Sequence, residues 1–153
     1  MIVGGGNVGT RVAMAIADTM APKIIDHNKV RCDRISQSLG GKVLVINGDA
    51  TDEALLVEEN VSEVDMFVAL TNDDENNIMS ALLAKRLGAR RVMALINRKA
   101  YAELVEGGNI DITVTPSHTT LGELLKYIRR GDIEAVHSLR RGAAEALEII
   151  VHG

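Results

Sequence analysis

Tryptophan is absent, and Phe67, Tyr101 and Tyr127 are the only aromatic residues in 153. A core without large rings has to be built from Val, Ile, Leu, Ala and Met, a palette that suits parallel strands covered by helices on both faces. Cys32 is the only cysteine. A disulfide within the chain is therefore excluded, and a reducing cytoplasm is the expected compartment. A metal site at Cys32 and His27 lacks further ligands, so Cys32 reads as a small apolar residue on a helix. There is no excess of positive charge: the net charge is −4. The basic pairs Lys85-Arg86, Arg90-Arg91, Arg129-Arg130 and Arg140-Arg141 fall at predicted element ends, where cations complement helix dipoles. Nucleic acid is not an expected partner. No apolar run approaches the ~20 residues of a membrane span, and no charged n-region followed by an apolar h-region opens the chain. Direct membrane insertion is not expected. Repeats and low-complexity segments are also missing.

The composition that remains, 46% hydrophobic and 25% charged, is that of a globular domain of ordinary size. Its organising stretch lies at the start. The short apolar run Met1-Ile2-Val3 passes into Gly4-Gly5-Gly6-Asn7-Val8-Gly9, and Val8, Val12, Ala13, Ala15 and Ile16 then have helical spacing. In a strand–glycine–helix unit, Gly4 permits the tight turn, Gly6 lets phosphate approach the backbone, and Gly9 lets helix pack on strand. Exposed amides at the helix N-terminus suit a pyrophosphate. Lys23-Ile24-Ile25 ends in Asp26, about 20 residues beyond the glycine turn, where a ribose-binding acid is expected. An acid there accepts from both ribose hydroxyls and repels a 2′-phosphate, which favours an NAD-like or adenosine ligand over NADP. His27, Lys29 and Arg31 follow closely and temper that preference.

Strand then alternates with helix. A helix is predicted over 29–39 up to Gly40-Gly41, a strand over 42–46, a helix over 52–59, a strand over 64–70 and a helix over 73–87 stopped by Gly88. A strand over 91–96, a helix over 99–106 before Gly107-Gly108, and a strand over 110–115 complete the series. The alternation predicts α/β architecture: a Rossmann-like doubly wound parallel sheet of about six strands with helices on both faces and ligand at the carboxyl ends. Residues just after strands become the site candidates. Gly48-Asp49-Ala50-Thr51 lies where adenine is expected, with Asp49 able to accept from the adenine amino group. Alternatively Thr51 or Asp52 only caps the next helix. Thr71-Asn72-Asp73-Asp74-Glu75-Asn76 reads as a ligand loop, as a capping box of Asn72 with Glu75, or as a divalent-cation site, though without the spacing of a calcium loop.

Past Pro116, Thr120 and Glu123 form another capping box. Leu121, Leu124, Leu125 and Ile128 give a narrow leucine face, fitted either to this chain's own sheet or to a second copy. Residues 133–139 and 143–151 read as one strand and one helix, too little for a substrate domain. The expected organisation is a nucleotide-binding unit over 1–131 and the start of a small C-terminal segment over 132–153, within a piece of some longer chain.

Taken together, Ile2 to Gly9, Asp26, Gly48-Asp49-Ala50-Thr51, Ala69 to Asn77 and Leu139 to Ala146 resemble the regulator-of-potassium-conductance family, also called KTN or Trk N-terminal domains. The likeness runs over nearly the whole chain. Some members carry two such domains in tandem, and this chain is similar to the second. The resemblance implies a cytoplasmic module, peripheral at the inner face of the cell membrane, that binds NAD(H) or ATP/ADP. It also implies self-association to dimers and rings, and a regulatory partner in a Trk-type membrane potassium transporter. Carried onto this sequence, Gly4, Gly5, Gly6, Asn7, Val8 and Gly9 would line the phosphates, and Asp26, with His27 and Arg31, the adenosine ribose. Gly48, Asp49, Ala50 and Thr51 would meet adenine, and Thr71, Asn72 and Asp73 the second half of the nucleotide. Arg98 would face the phosphates across a subunit contact, and the helix over 120–130 matches the family's crossover helix, which packs on a partner subunit. Asn7 stands where relatives that sense the ATP γ-phosphate carry arginine, which tilts the choice toward NAD(H). The rival is the cofactor domain of an NAD-dependent oxidoreductase. Hydride transfer needs an acid or base beside the nicotinamide, and the nearest candidates, His118 and His137, have no partner in sequence. The expected protein is therefore not an enzyme.

Overall fold

A computed structural model describes residues 1–116 and 119–130. The elements are β1 (Ile2–Val3), α1 (Asn7–Ile16), β2 (Lys23–Asp26), α2 (Lys29–Ser38), β3 (Leu44–Asn47), α3 (Glu53–Glu58), β4 (Phe67–Ala69), α4 (Asp74–Arg86), β5 (Val92–Leu95), α5 (Lys99–Val105), β6 (Ile112–Val114) and α6 (Leu121–Arg130). All six strands are parallel, in the order β3-β2-β1-β4-β5-β6. The predicted doubly wound sheet is therefore the observed one.

Both faces of the strands are apolar, and their alternation sorts the chain into two cores. Ile2, Ile24, Val68, Met93, Ile112 and Val114 point to the side covered by α1, α2 and α6. Val3, Ile25, Phe67, Ala69, Val92 and Ala94 point to the side of α3, α4 and α5. Alanines 81 and 84 let α4 lie close on the central strands without large side chains between them. The leucine face of α6 serves its own chain: Leu124, Tyr127 and Ile128 join the first core, and Arg129 Nη2 donates to the Ala15 carbonyl of α1 at 2.9 Å. Of the two fits open to that helix, the intramolecular one is present. Its predicted capping box is also formed, with the Glu123 amide on Thr120 Oγ1 at 3.2 Å and the Thr120 amide on Glu123 Oε2 at 3.4 Å.

Several boundaries differ from expectation. β3 begins at Leu44 rather than Lys42, because the turn through Gly40 and Gly41 carries on to Val43. β4 is three residues long, shorter at both ends than the expected 64–70, and is preceded by a single 3-10 turn over Val61–Glu63. The cap of α4 is Asp73, not Asn72: the Asp73 carboxylate accepts from the Asn76 amide at 3.1 Å. His118, His137 and the predicted elements over 133–139 and 143–151 lie outside the described residues. Among the described residues, no helix is long and apolar enough to cross a membrane.

Candidate functional site

The chain leaves β1 toward β2 on one side of the sheet and reaches β4 on the other, so the loops after β1 and β4 part at the sheet's centre. That divergence opens a cleft of about 380 Å³ along the carboxyl ends of the strands, a position and size typical of small-molecule sites.

The glycine turn forms one wall. Gly4 sits at φ +105°, in the region glycine alone enters freely, and its amide donates to the Ile25 carbonyl at 2.9 Å. A Cβ on Gly9 would overlap the Gly4 carbonyl, so Gly9 is what lets α1 start so close to the turn. Nothing lies within 4 Å of the place where a Cβ on Gly6 would be; Gly6 faces open space in the cleft. No side chain caps α1, whose N-cap is Gly6, and its first turn holds no acid. Most of the other helices that begin after strands are closed by a side chain: Asn28, Asp52 and Asp73 cap α2, α3 and α4, and Thr120 caps α6. α5, with Arg98 at its N-cap, has no capping side chain either, but Asp74 takes the Asn97 and Arg98 amides just before it, at 2.8 and 2.9 Å. The amides and positive dipole end of α1 are thus left for an anion.

Across from this turn stands Asp26, 3% exposed at the end of β2. Its Oδ2 accepts from the Gly5 amide at 2.6 Å and from Arg31 Nη1 at 3.1 Å, and its Oδ1 from the Asn28 amide at 2.8 Å. Burial pushes this carboxyl group up, but the Asn28 and Gly5 amides and the Arg31 guanidinium outweigh it and hold the group below its ordinary value. The acid is therefore ionised and rigid. Asn47 Nδ2 donates to the Asp26 carbonyl at 3.1 Å, which keeps β2 and β3 in step at their ends. Cys32 lies buried beneath, its Sγ 3.3 Å from the same carbonyl. The expected small buried cysteine is found. Among the described residues no group of His, Cys, Asp or Glu is placed to hold a metal.

The Gly48–Thr51 loop closes this end of the cleft. Asp49 Oδ1 accepts from the Thr51 amide at 2.8 Å and from Thr51 Oγ1 at 2.6 Å. Those bonds, strongest first from the hydroxyl, hold its carboxyl below the ordinary value. Thr51 does not reach the cleft, and Asp52 caps α3 by accepting from the Ala54 amide at 3.0 Å. Here the ligand and capping readings are divided between neighbours: Gly48, Asp49 and Ala50 line the cleft while Asp52 caps.

At the far end, Leu70, Thr71, Asn72, Asn76, Leu95 and Asn97 line the cleft. Asn77, fully buried, fastens this wall: its Nδ2 donates to the carbonyls of Thr71 at 2.9 Å and Leu95 at 2.7 Å, while its Oδ1 accepts from the Thr71 amide at 3.0 Å and hydroxyl at 2.6 Å. Asp74 ties the loop after β5 to α4 in the same way, accepting also from Asn97 Nδ2 at 3.0 Å.

Of the predicted positions, Gly4, Gly6, Asn7, Val8, Asp26, His27, Arg31, Gly48, Asp49, Ala50, Thr71 and Asn72 are brought together around one cleft. Five are not. Gly5 turns back against Ile35 and Asp26, Gly9 packs under the turn, and Thr51 holds Asp49. Asp73 is spent as a cap. Arg98 lies outside this chain's cleft, stacked 5.0 Å from the Tyr101 ring centroid, with Nη1 2.9 Å from Tyr101 Oη and 3.5 Å from Glu75 Oε1. Asp74 and Asn76 fall within the 71–76 loop offered as a ligand loop, without being singled out; the residues missed are Asn97 and Asn77, the latter forming a buried pair with Asp74. The one sequence signal for that pair is its spacing, three apart on the face of α4 that continues through Ser80, Ala81 and Ala84.

The TrkA-N domain pattern matches residues 1–116. The Trk system potassium uptake protein TrkA of Halomonas elongata is 54% identical over 153 residues, which is 100% of this chain and 33% of that protein. Its counterparts in Vibrio alginolyticus and Haemophilus influenzae are 52% and 50% identical over the same shares. The chain thus spans about a third of the length of these relatives. Among solved structures, the NAD(P)-binding domain of an exopolyphosphatase-related protein from Archaeoglobus fulgidus matches with a TM-score of 0.68 at 16% identity, covering 84% of this chain and 96% of that one. The GsuK channel bound to NAD matches with a TM-score of 0.64 at 18% identity, covering 83% of this chain and 22% of that one. At such identities the likeness is one of fold.

Proposed function

This chain belongs to the TrkA-N domain family, and from that premise we propose that it is a nucleotide-binding regulatory domain of a potassium-uptake system, taking NAD(H) along the carboxyl edge of its sheet. One observation carries the reading: the start of α1, with neither a capping side chain nor an acid in its first turn, opens over Gly6 onto a cleft whose opposite wall holds the ionised Asp26. In this reading the amides of the α1 start hold the diphosphate, as a helix N-terminus holds anions generally. The remaining lone pair on Asp26 Oδ1 accepts a ribose hydroxyl, and Asp49 and Ala50 border adenine. Thr71, Asn72, Asn76 and Asn97 meet the distal half.

The charge layout favours NAD(H) over ATP. Asp26, His27, Arg31 and Asp49, the ionisable groups that line the cleft, all stand at its adenosine end. Among the described residues the distal end offers amides and a hydroxyl, with no cation for a γ-phosphate, and ADP would fill only the adenosine half. The same layout favours a regulator over an oxidoreductase: among the described residues, no acid or base lines the end where hydride transfer would take place. A ligand that touches both walls selects one conformation by its differential affinity, and a regulator needs nothing more. The domain would span residues 1–131, with 132–153 opening a further segment, as the second of two tandem units. It would self-associate in dimers or rings in the cytoplasm, at the inner face of the cell membrane, and act on a Trk-type membrane transporter. Isothermal titration of NADH, NAD, ATP and ADP into the chain and into Asp26→Ala tests this. Tight NADH binding, weakened at least about 10-fold in the variant, is the expected result; no nucleotide binding tighter than millimolar overturns it.

A further inference from the structure

An acid at the end of β2 repels a 2′-phosphate fully only if its charge is bare. That of Asp26 is not. Arg31, in the first turn of α2, places Nη1 3.1 Å from Asp26 Oδ2 with its side chain 38% exposed. The Gly5 amide takes the same oxygen, and the Asn28 amide takes one site on Oδ1. A carboxylate has about four acceptor sites, so about one is left, too few for the two ribose hydroxyls that a dedicated NAD pocket binds. Arg31 meanwhile lines the cleft and, among the described residues, spends one side-chain N–H on Asp26. A guanidinium has five such donors in a planar fork that suits phosphate. His27, 76% exposed at its side chain with Nδ1 4.0 Å from Asp26 Oδ1, also lines this end. The other carboxylate facing it, Asp49, is turned onto Thr51.

We infer that Arg31 decides which adenosine ribose this cleft takes, and that the site accepts a 2′-phosphorylated dinucleotide, NADPH, as well as NADH. The inference rests on the dinucleotide reading given above. With NADH, Arg31 stays on Asp26 and one hydroxyl finds the free site on Oδ1. With NADPH, the guanidinium's unused donors meet the 2′-phosphate while its charge offsets that of the acid.

Titration of NADH and NADPH into the 153-residue chain, into Arg31→Ala and into Arg31→Gln tests it, with thermal melts to show that each variant folds. Glutamine can still donate to Asp26 but carries no charge, which separates a strut from a phosphate ligand. The wild-type chain is expected to bind the two cofactors within about 10-fold of each other. Both variants should weaken NADPH by about 30-fold or more and NADH by about 3-fold or less. NADPH binding should also fall more steeply with added salt. If the wild-type chain binds NADH but rejects NADPH by more than about 100-fold, or if Arg31→Gln weakens both equally, the inference is wrong. If neither cofactor binds the wild-type chain, the dinucleotide reading itself has failed.

Discussion

The two central strands of the sheet each hand the chain to a helix, and the two junctions are built oppositely. After β1, α1 begins on glycine with no capping side chain and no acid in its first turn. After β4, α4 begins on Asp73, carries Asp74 and Glu75 in its first turn, and is bonded through Asp74 and Asn77 to the loops around it. One junction leaves the first amides of its helix without a capping side chain; the other caps its helix with Asp73 and, through Asp74, bonds the loop that leads into α5. The difference teaches that a helix N-terminus becomes a binding surface through what is left out, and that the opposite wall must be pinned if the cleft is to keep its shape.

The largest expected effect comes from unpinning the α4 side. Asn77→Ala removes the four hydrogen bonds by which this buried side chain joins Thr71, Leu95 and α4, and should cost about 3 kcal/mol of stability, read as a lower midpoint in urea unfolding. An unchanged midpoint would mean that the wall does not depend on that side chain. Next comes making the first junction resemble the second. Gly6→Asp sits at φ −77°, which any residue can adopt, and has open space before it, so folding should be preserved. Its carboxylate would cap α1 as Asp73 caps α4 and meet phosphate with like charge. NADH affinity should fall by roughly 30-fold with little change in thermal midpoint; undiminished affinity would remove α1 from the site.

The smallest effect is on pH dependence. Asp74 is pushed up by burial but held below its ordinary value by the Asn97 and Arg98 amides and the Asn97 side chain, and Asp26 and Asp49 are lowered as well. A carboxyl group lowered on folding contributes stability above its unfolded value, near 4, and loses that contribution as pH falls through the folded one. These three carboxyl groups should therefore leave stability unchanged near neutrality and lower it below about pH 4. Asp74→Asn should cost about 1 kcal/mol at pH 7 and make the acid decline shallower; a decline of unchanged steepness would rule Asp74 out as a contributor.

The contrast between junctions also explains which residues could be read from the chain. Gly4, Gly6, Gly9 and Asp26 are legible because each answers a local demand: a positive φ, an open approach, a close packing, a polar residue ending an apolar strand. Thr71 to Asn76 could be placed after a strand, yet cap, ligand and cation readings competed for the same polar letters. Only the fold distributes them, giving Asp73 to the helix end, Asn72 and Asn76 to the cleft, and Asp74 to the loop after β5. Arg98 shows the converse. Its sequence position after β5 is right for a cleft residue, but Tyr101 and Glu75 hold it elsewhere within this chain.

The alternation of apolar strands with amphipathic helices determined the doubly wound sheet by itself, since the periodicities of strand and helix are local properties of the chain. So did the glycine turn and the acid at the end of β2. The tertiary structure decided what those parts meet: that the α1 start stays open, that Asn77 bonds two loops distant in sequence, and that Arg31 and the Gly5 amide occupy an oxygen the acid would otherwise offer. Those outcomes depend on which donors and acceptors are brought within about 3 Å of each other, and only the folded chain sets such distances.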